Sequence, residues 1–178
     1  DYASLAKIAV ERSRTEEALR QSEERYRLIA DNSNDAIWLM DLPSLRFTYI
    51  SPSIERLRGW TAAEVMAQSL DECLTPESSE RAHALLKESM ARIQAGDHSA
   101  RFAKTEVEQP CKDGRIINTE VVTSILLDEA GQPRQIMGIT RDITERKRNE
   151  AELAQYRLHQ ETKVSERTHA LSIAKAAA

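Results

Sequence analysis

The distribution of glycine and proline is the feature that most narrows what this 178-residue chain can fold into. All five glycines and all five prolines fall between Asp31 and Asp142, and the segments on either side contain neither. Because these residues form turns and end helices, the middle of the chain is predicted to be turn-rich and the flanks helical. We therefore divide the chain into an N-terminal helix (1–31), a central domain (32–143) and a C-terminal helix (144–178).

Both flanking segments carry a weak seven-residue repeat, in which polar residues occupy some of the positions that a coiled coil would fill with apolar ones. Such a seam predicts a weak coiled coil, so we expect a parallel, two-fold homodimer formed through the terminal helices. A solvated single helix is the alternative for the N-terminal segment. The repeat positions are Leu5, Ile8, Arg12, Thr15, Leu19, Ser22, Tyr26 and Ile29 at the start, and Ile143, Leu153, Val164 and Leu171 at the end.

The central segment reads as two strands, several helices and three strands. Strands are predicted from apolar runs, most of them alternating, at 35–41, 45–51, 99–109, 115–127 and 132–142. Helices are predicted at 52–59, after Thr61, where Glu64 has the spacing of a capping box, and at 75–95, where Gly96 is the C-terminal cap. This order predicts an α+β domain with one five-stranded antiparallel sheet.

The stretch "GITRDITERKRNEAEL" (Gly138–Leu153) passes from a strand pattern into a helix pattern with no intervening turn signal. Asp142 and Glu145 have capping-box spacing, so the helix can begin directly after the strand. We predict that this strand and helix relay a signal as one continuous element. In that hypothesis Asp142 and Thr144 hold the junction, and Arg141 pairs with a nearby carboxylate.

Four segments, in this order, resemble the PAS sensory domain with its C-terminal PAC segment. The resemblance extends from about Ser22 to Leu153. It implies a five-stranded antiparallel sheet of order 2-1-5-4-3 with helices over one face, and a role in detecting or relaying a signal rather than in catalysis. The segments are "SEERYRLIADNSNDAIWLMD", "FTYISPSIERLRGWTAAEV", "KDGRIINTEVVTSILLDEAGQP" and "MGITRDITERKRNEAEL".

The two ends of the chain suggest the proteins in which such a module occurs. "LAKIAVERSRTEEALRQSEERY" is similar to the last helix of a GAF domain, and "VSERTHALSIAKAAA" is similar to the connector before the phospho-accepting helix of sensor histidine kinases. The resemblance implies a parent histidine kinase with neighbouring GAF-like and kinase domains, whereas this fragment carries no kinase chemistry. A diguanylate cyclase parent is the alternative.

A PAS domain can hold a small-molecule ligand between its sheet and its helices. Strand alternation places Ile37 and Leu39 on one face and Trp38 and Met40 on the other, and we expect the first pair to face the helices. Plain core packing is the alternative reading of each such residue, and a ligand-free dimerisation or spacer domain is the alternative function. The candidate pocket residues are Ile37, Leu39, Tyr49, Met66, Leu85, Met90, Val107, Val122 and Met137.

The binding of two cofactors, flavin and haem, can be assessed from the residue at one position for each. Flavin photosensors of this family carry a cysteine in an Asn-Cys-Arg-Phe type motif; Leu70 stands at about that place, so flavin is not expected and Cys73 is predicted to be a small buried or half-buried thiol. Haem-binding relatives carry an axial histidine on the long helix, where His83 lies, so haem is the alternative if that imidazole faces the sheet. Without haem, neither a cofactor nor a metal site is predicted.

Composition and missing motifs exclude several function classes. The net charge of −4, from 25 basic and 29 acidic residues, gives no nucleic-acid surface, and the apolar runs are too short for membrane contact by this segment. No phosphate loop, HExxH, CxxC or GxSxG motif occurs, so no catalytic residue is predicted. Cys73 and Cys111 lie far apart, which suggests free thiols in a reducing cytoplasm.

Overall fold

The computed structural model describes residues 33–176 together with residues 17, 20–22, 24, 25, 28 and 30, and it describes side-chain burial as far as residue 164. The described residues before 33 are helical. The repeat from Leu5 to Ile29 lies mostly outside the described residues, so its coiled coil stays a prediction. The chain divides into two compact units, Asp1–Asp142 and Ile143–Ala178.

Five strands form one antiparallel sheet in the order β2-β1-β5-β4-β3, which confirms the predicted topology. The first and last strands of the sequence are therefore neighbours at the centre of the sheet, with Trp38 opposite Gly138. The strands are β1 Ala36–Asp41, β2 Arg46–Ile50, β3 Phe102–Pro110, β4 Ile116–Leu127 and β5 Pro133–Asp142.

The predicted helix boundaries are confirmed by local chemistry at their ends. Gly59 and Gly96 adopt left-handed φ angles of 76° and 91° after the helices that they follow, a conformation that costs glycine little. Thr61 and Glu64 form the predicted capping box. The α-helices are α1 Ser53–Arg58, α2 Ala62–Ala67, α3 Pro76–Gln94 and α4 Thr144–Ala176, and short 3-10 helices span Asp71–Cys73 and His98–Arg101.

The start of the third strand was predicted too early, at residue 99. Residues His98–Arg101 instead form a 3-10 turn, and β3 begins at Phe102. The side chain of Asp97 accepts hydrogen bonds from the backbone N–H and the hydroxyl of Ser99, at 3.0 and 2.6 Å. These local bonds compete with strand pairing, which explains the delay.

The face of β1 that meets the helices is the opposite of the predicted one. Ala36 and Met40 are 0% and 1% exposed, and Trp38 packs with them against residues of α1, α2 and α3. Ile37 and Leu39 therefore lie on the outer face of the sheet. Alternation alone could not decide this, because β1 carries large apolar residues on both faces.

The C-terminal unit contains α4, a helix of 33 residues. Ion pairs at i,i+4 spacing, such as Arg148–Glu152 at 3.0 Å, favour its helical state. Leu153 and Val164, two predicted seam positions, are 51% and 62% exposed. Of the helices in the described part of the chain, none combines the length and hydropathy that a bilayer crossing requires.

Candidate functional site

A cavity of about 110 Å³ lies between the inner face of the sheet and the helices of the first unit. Its walls are mainly apolar, because the strands contribute residues of their inner faces, four alternate ones from β3 among them, and α1 to α3 contribute buried side chains. A few polar side chains interrupt this lining. They include Arg58, Arg101, Gln109, Thr123 and Thr140.

Two of the nine predicted pocket residues, Leu85 and Val107, line this cavity. Met90 packs against the core around Met40 instead, and Met66 is 41% exposed on α2. The other five were placed in the pocket wrongly, because the helices cover the opposite face of the sheet. These five are Ile37, Leu39, Tyr49, Val122 and Met137.

Trp38 connects the cavity to the central strand β5. Its indole Nε1 donates a hydrogen bond to Thr140 Oγ1 at 3.0 Å, and its ring meets Phe47 edge-on with centroids 5.7 Å apart. The indole lies directly on Gly138: a Cβ added there would be 2.6 Å from Cη2 and closer still to Cζ2 and Cε2. A glycine inside a strand pattern is a signal for such a close approach, and it could have identified this contact from the sequence.

Arg58, which the sequence did not single out, lies at the end of α1 and is 2% exposed. Its Nε and Nη2 both donate to the carbonyl oxygen of Pro110, at 3.0 and 2.9 Å. This clamp fastens α1 to the end of β3. No sequence signal distinguished Arg58 from the other arginines, because its burial arises only when helix and strand meet.

Cys73 also lines the cavity, and its predicted burial is confirmed at 2% exposure. Burial raises the pKa of its thiol, and the nearby Arg58 guanidinium opposes this shift. The thiol donates to Gln68 Oε1 at 3.3 Å. A neutral, hydrogen-bonded thiol of this kind is a packing group rather than a nucleophile.

The predicted relay residues lie at the C-terminal end of β5 and the start of α4. Arg141 pairs in a bidentate manner with Asp35, Nη2 lying 2.7 Å from Oδ2 and Nε 3.0 Å from Oδ1, and this pairing raises the pKa of the arginine. Asp142 is the last residue of β5 and Thr144 is the first of α4, with Ile143 between them. The expectation that Arg141 pairs with a carboxylate is thus confirmed, whereas the relay role stays a prediction.

His83 does not meet the condition on which haem binding depended. Its side chain is 44% exposed, its Nδ1 lies 2.9 Å from the carbonyl oxygen of Ser79, and it is not part of the cavity lining. An imidazole on the outside of α3 cannot reach a group held in the cavity. Within the described residues, no cluster of three or more His, Cys, Asp or Glu side chains could hold a metal ion.

Comparison with known proteins finds one matching family model and several relatives of similar sequence. The family model described as "PAS fold" matches residues 24–143. The methyl sulfide methyltransferase-associated sensor of Methanosarcina acetivorans is 32% identical over 153 residues, the methanogenesis regulatory histidine kinase FilI of Methanothrix harundinacea is 29% identical over 135, and the sensor histidine kinase TmoS of Ectopseudomonas mendocina is 32% identical over 139. These matches cover 86%, 76% and 78% of this chain but only 14% of each relative.

Solved structures share the fold. A sensory box histidine kinase/response regulator from Burkholderia thailandensis superposes with a TM-score of 0.57 at 23% identity, covering 77% of this chain and 98% of that one. The N-terminal domain of a diguanylate cyclase with a PAS/PAC sensor from Marinobacter aquaeolei gives a TM-score of 0.53 at 20% identity, covering 64% and 98%. At these identities the likeness concerns the fold alone.

Proposed function

Because the chain belongs to the PAS family, we propose that it is the sensory and signal-relay module of a two-component sensor histidine kinase. Two of the similar proteins described above are named as histidine kinases and a third as a sensor. In this proposal residues 1–31 and 144–178 are connecting helices around the 32–143 domain. GAF-like and kinase domains of the same cytoplasmic protein adjoin them, and two copies associate through the helices.

The observation that carries the proposal is the contact of Trp38 with β5. Trp38 forms part of the cavity wall, its Nε1 is hydrogen-bonded to Thr140, and its ring rests on Gly138. A ligand that shifts the indole therefore acts on the strand that ends at Asp142, and only Ile143 separates that residue from the start of α4. The Arg141–Asp35 ion pair holds the last part of that strand in one arrangement.

In this proposal the strand β5 has two arrangements in equilibrium, and the signal is a change in their relative populations. A ligand moves such an equilibrium only by the difference in its affinity for the two states. A single neutral hydrogen bond contributes about 1 kcal/mol, so breaking the Trp38–Thr140 bond should shift the balance by up to about fivefold.

The test joins the chain at residue 178 to a histidine kinase catalytic region and measures autophosphorylation. Thr140→Val removes the Trp38 partner but keeps the side-chain volume, and we expect a several-fold change in output with an unchanged circular dichroism spectrum. Thr123→Val is the matched control, because Thr123 also lines the cavity but its hydroxyl donates to Ala103. Equal effects of the two variants would refute the route through Trp38.

The junction residues give a second test in the same fusion. Replacing Asp142 and Thr144 together by alanine should alter kinase output while the domain stays folded, since neither side chain is buried. An unchanged output and ligand response in the double variant would show that the junction does not transmit the signal.

One observation favours a second candidate, a ligand-free dimerisation or spacer domain. The outer face of the sheet is apolar at its centre, where Ile37, Leu39 and Ile139 adjoin Val122 and Met137, and Val122 is 43% exposed. If a second copy covers this face, Val122→Arg should shift the sedimentation coefficient from that of a dimer to that of a monomer. In the same hypothesis the cavity of the wild-type chain binds no ligand. A diguanylate cyclase parent would use the same module, and the sequence that follows residue 178 decides between the two outputs.

A further inference from the structure

Arg58 is a buried cation that none of the carboxylates in the described part of the chain pairs with. It is 2% exposed, and within the part of the chain that the structure describes no Asp or Glu oxygen lies within 4.0 Å of its guanidinium. Lys112, on the neighbouring loop, pairs with Glu64 instead. A guanidinium has five N–H donors in a fork that matches a carboxylate, and two of them reach Pro110. Burying such a charge is costly unless an anion approaches it.

Gln109 is an unsatisfied acceptor at the same end of the cavity. It is 8% exposed and lines the cavity, and its Oε1 has no hydrogen-bond partner among the described residues. Because Gln109 directly precedes Pro110, whose carbonyl Arg58 grips, the two side chains belong to one polar end. A buried carbonyl oxygen without a donor is destabilising, so a bound molecule that brings an O–H or N–H group to it is favoured.

The remaining walls set the size and character of that molecule. The second arginine in the lining, Arg101, stands before the start of β3, at the far end of the strand from Gln109, and it donates to the carbonyl of Ile125. Between these ends the lining is mainly aliphatic and aromatic. A cavity of about 150 Å³ admits benzene, so about 110 Å³ suits roughly four to six non-hydrogen atoms. An ammonium donor would be repelled by Arg58, and a hydroxyl is the smallest neutral donor group that fits beside a carboxylate in this volume.

We propose that this cavity binds a short hydroxymonocarboxylate, with the carboxylate on Arg58 and the hydroxyl donating to Oε1 of Gln109. The signalling consequence rests on the proposed sensory function, whereas the binding itself does not. Racemic lactate fits this description. Propionate lacks the hydroxyl and propane-1,2-diol lacks the carboxylate, so the three compounds separate the two contacts.

Binding is measured by isothermal titration calorimetry on the full 178-residue chain at millimolar concentrations. We expect lactate to bind at least fivefold more tightly than propionate, because a buried acceptor left unpaired weakens the complex, and we expect no binding of the diol. Gln109→Leu should abolish the preference for lactate over propionate while propionate still binds. Arg58→Met should abolish binding of both acids.

Arg58 also clamps Pro110, so Arg58→Met can fail to fold; Gln109→Leu leaves that clamp intact and keeps the proposal refutable. Equal affinities for lactate and propionate, a retained preference in Gln109→Leu, tight binding of the diol, or no binding of any probe would each overturn the ligand assignment. The relay is tested separately by Thr140→Val. If that variant changes output while lactate does not bind, the ligand class is wrong and the sensory function stands; if lactate binds without altering hydrogen exchange in β5, the relay is wrong.

Discussion

Replacing Gly138 by alanine is the sharpest test of the packing between Trp38 and β5. The added Cβ would overlap Cζ2 and Cε2 of Trp38 and lie 2.6 Å from Cη2, where ordinary contact begins at 3.4 Å. The indole cannot turn aside freely, because Thr140 holds its Nε1 and Phe47 meets its ring. Either the tryptophan leaves its place or β5 moves away from β1.

The magnitude follows from these contacts. Overpacking in a core costs about 1–3 kcal/mol, and a lost neutral hydrogen bond between Trp38 and Thr140 costs about 1 kcal/mol. The smaller conformational freedom of alanine in the unfolded chain returns about 0.4–1 kcal/mol. Gly138→Ala should therefore lower the free energy of unfolding by about 1–3.5 kcal/mol, with a central value of about 2 kcal/mol.

The assay is urea unfolding followed by circular dichroism, in a double-mutant cycle with Trp38→Leu. Truncating the indole removes the atoms that the new methyl group would meet, so Gly138→Ala should be nearly neutral in that background. The expected coupling energy is about 2 kcal/mol. Independent sites deviate from additivity by only about 0.3–0.5 kcal/mol. If Gly138→Ala costs the same with and without the tryptophan, the strain lies in the backbone and the reasoning fails.

Three further outcomes are expected. Hydrogen bonding to Lys112 and to Thr61 lowers the pKa of Glu64 from 4.5 to about 2. The extra stability of the wild type over Glu64→Gln should therefore be present above pH 4.5 and vanish as the pH falls to about 2. A difference in the free energy of unfolding that does not change with pH would contradict this prediction. Asp35→Asn should speed hydrogen exchange at the end of β5, because the bidentate pair with Arg141 is lost, and unaltered exchange there would count against its role as a clamp. Cys73 should react with iodoacetamide more slowly in the folded protein than in the unfolded chain, since burial raises the pKa of its thiol and leaves little thiolate; equal rates in the two states would disprove this.

Much of the fold could be predicted because the signals are local. The capping box at Thr61, the left-handed glycines at 59 and 96 and the order of strand and helix patterns each depend on neighbouring residues. The start of β3 was predicted at residue 99, too early, because the strand pattern does not show a competing local interaction. The Asp97 side chain accepts a hydrogen bond from the backbone N–H of Ser99, and this bond favours a turn there. The family resemblance supplied the sheet order, which local patterns cannot specify.

The sequence by itself determined the elements, their succession along the chain and the direct passage from the last strand into the last helix. Only the tertiary structure decided which face of β1 meets the helices. Ile37 and Leu39 are as apolar as Trp38 and Met40, and alternation separates the two faces without indicating which of them is covered. It also decided the polar end of the cavity. Arg58 and Gln109 are 51 residues apart along the chain, and their burial at one end of the cavity arises when α1 packs against β3, an arrangement that no local pattern encodes.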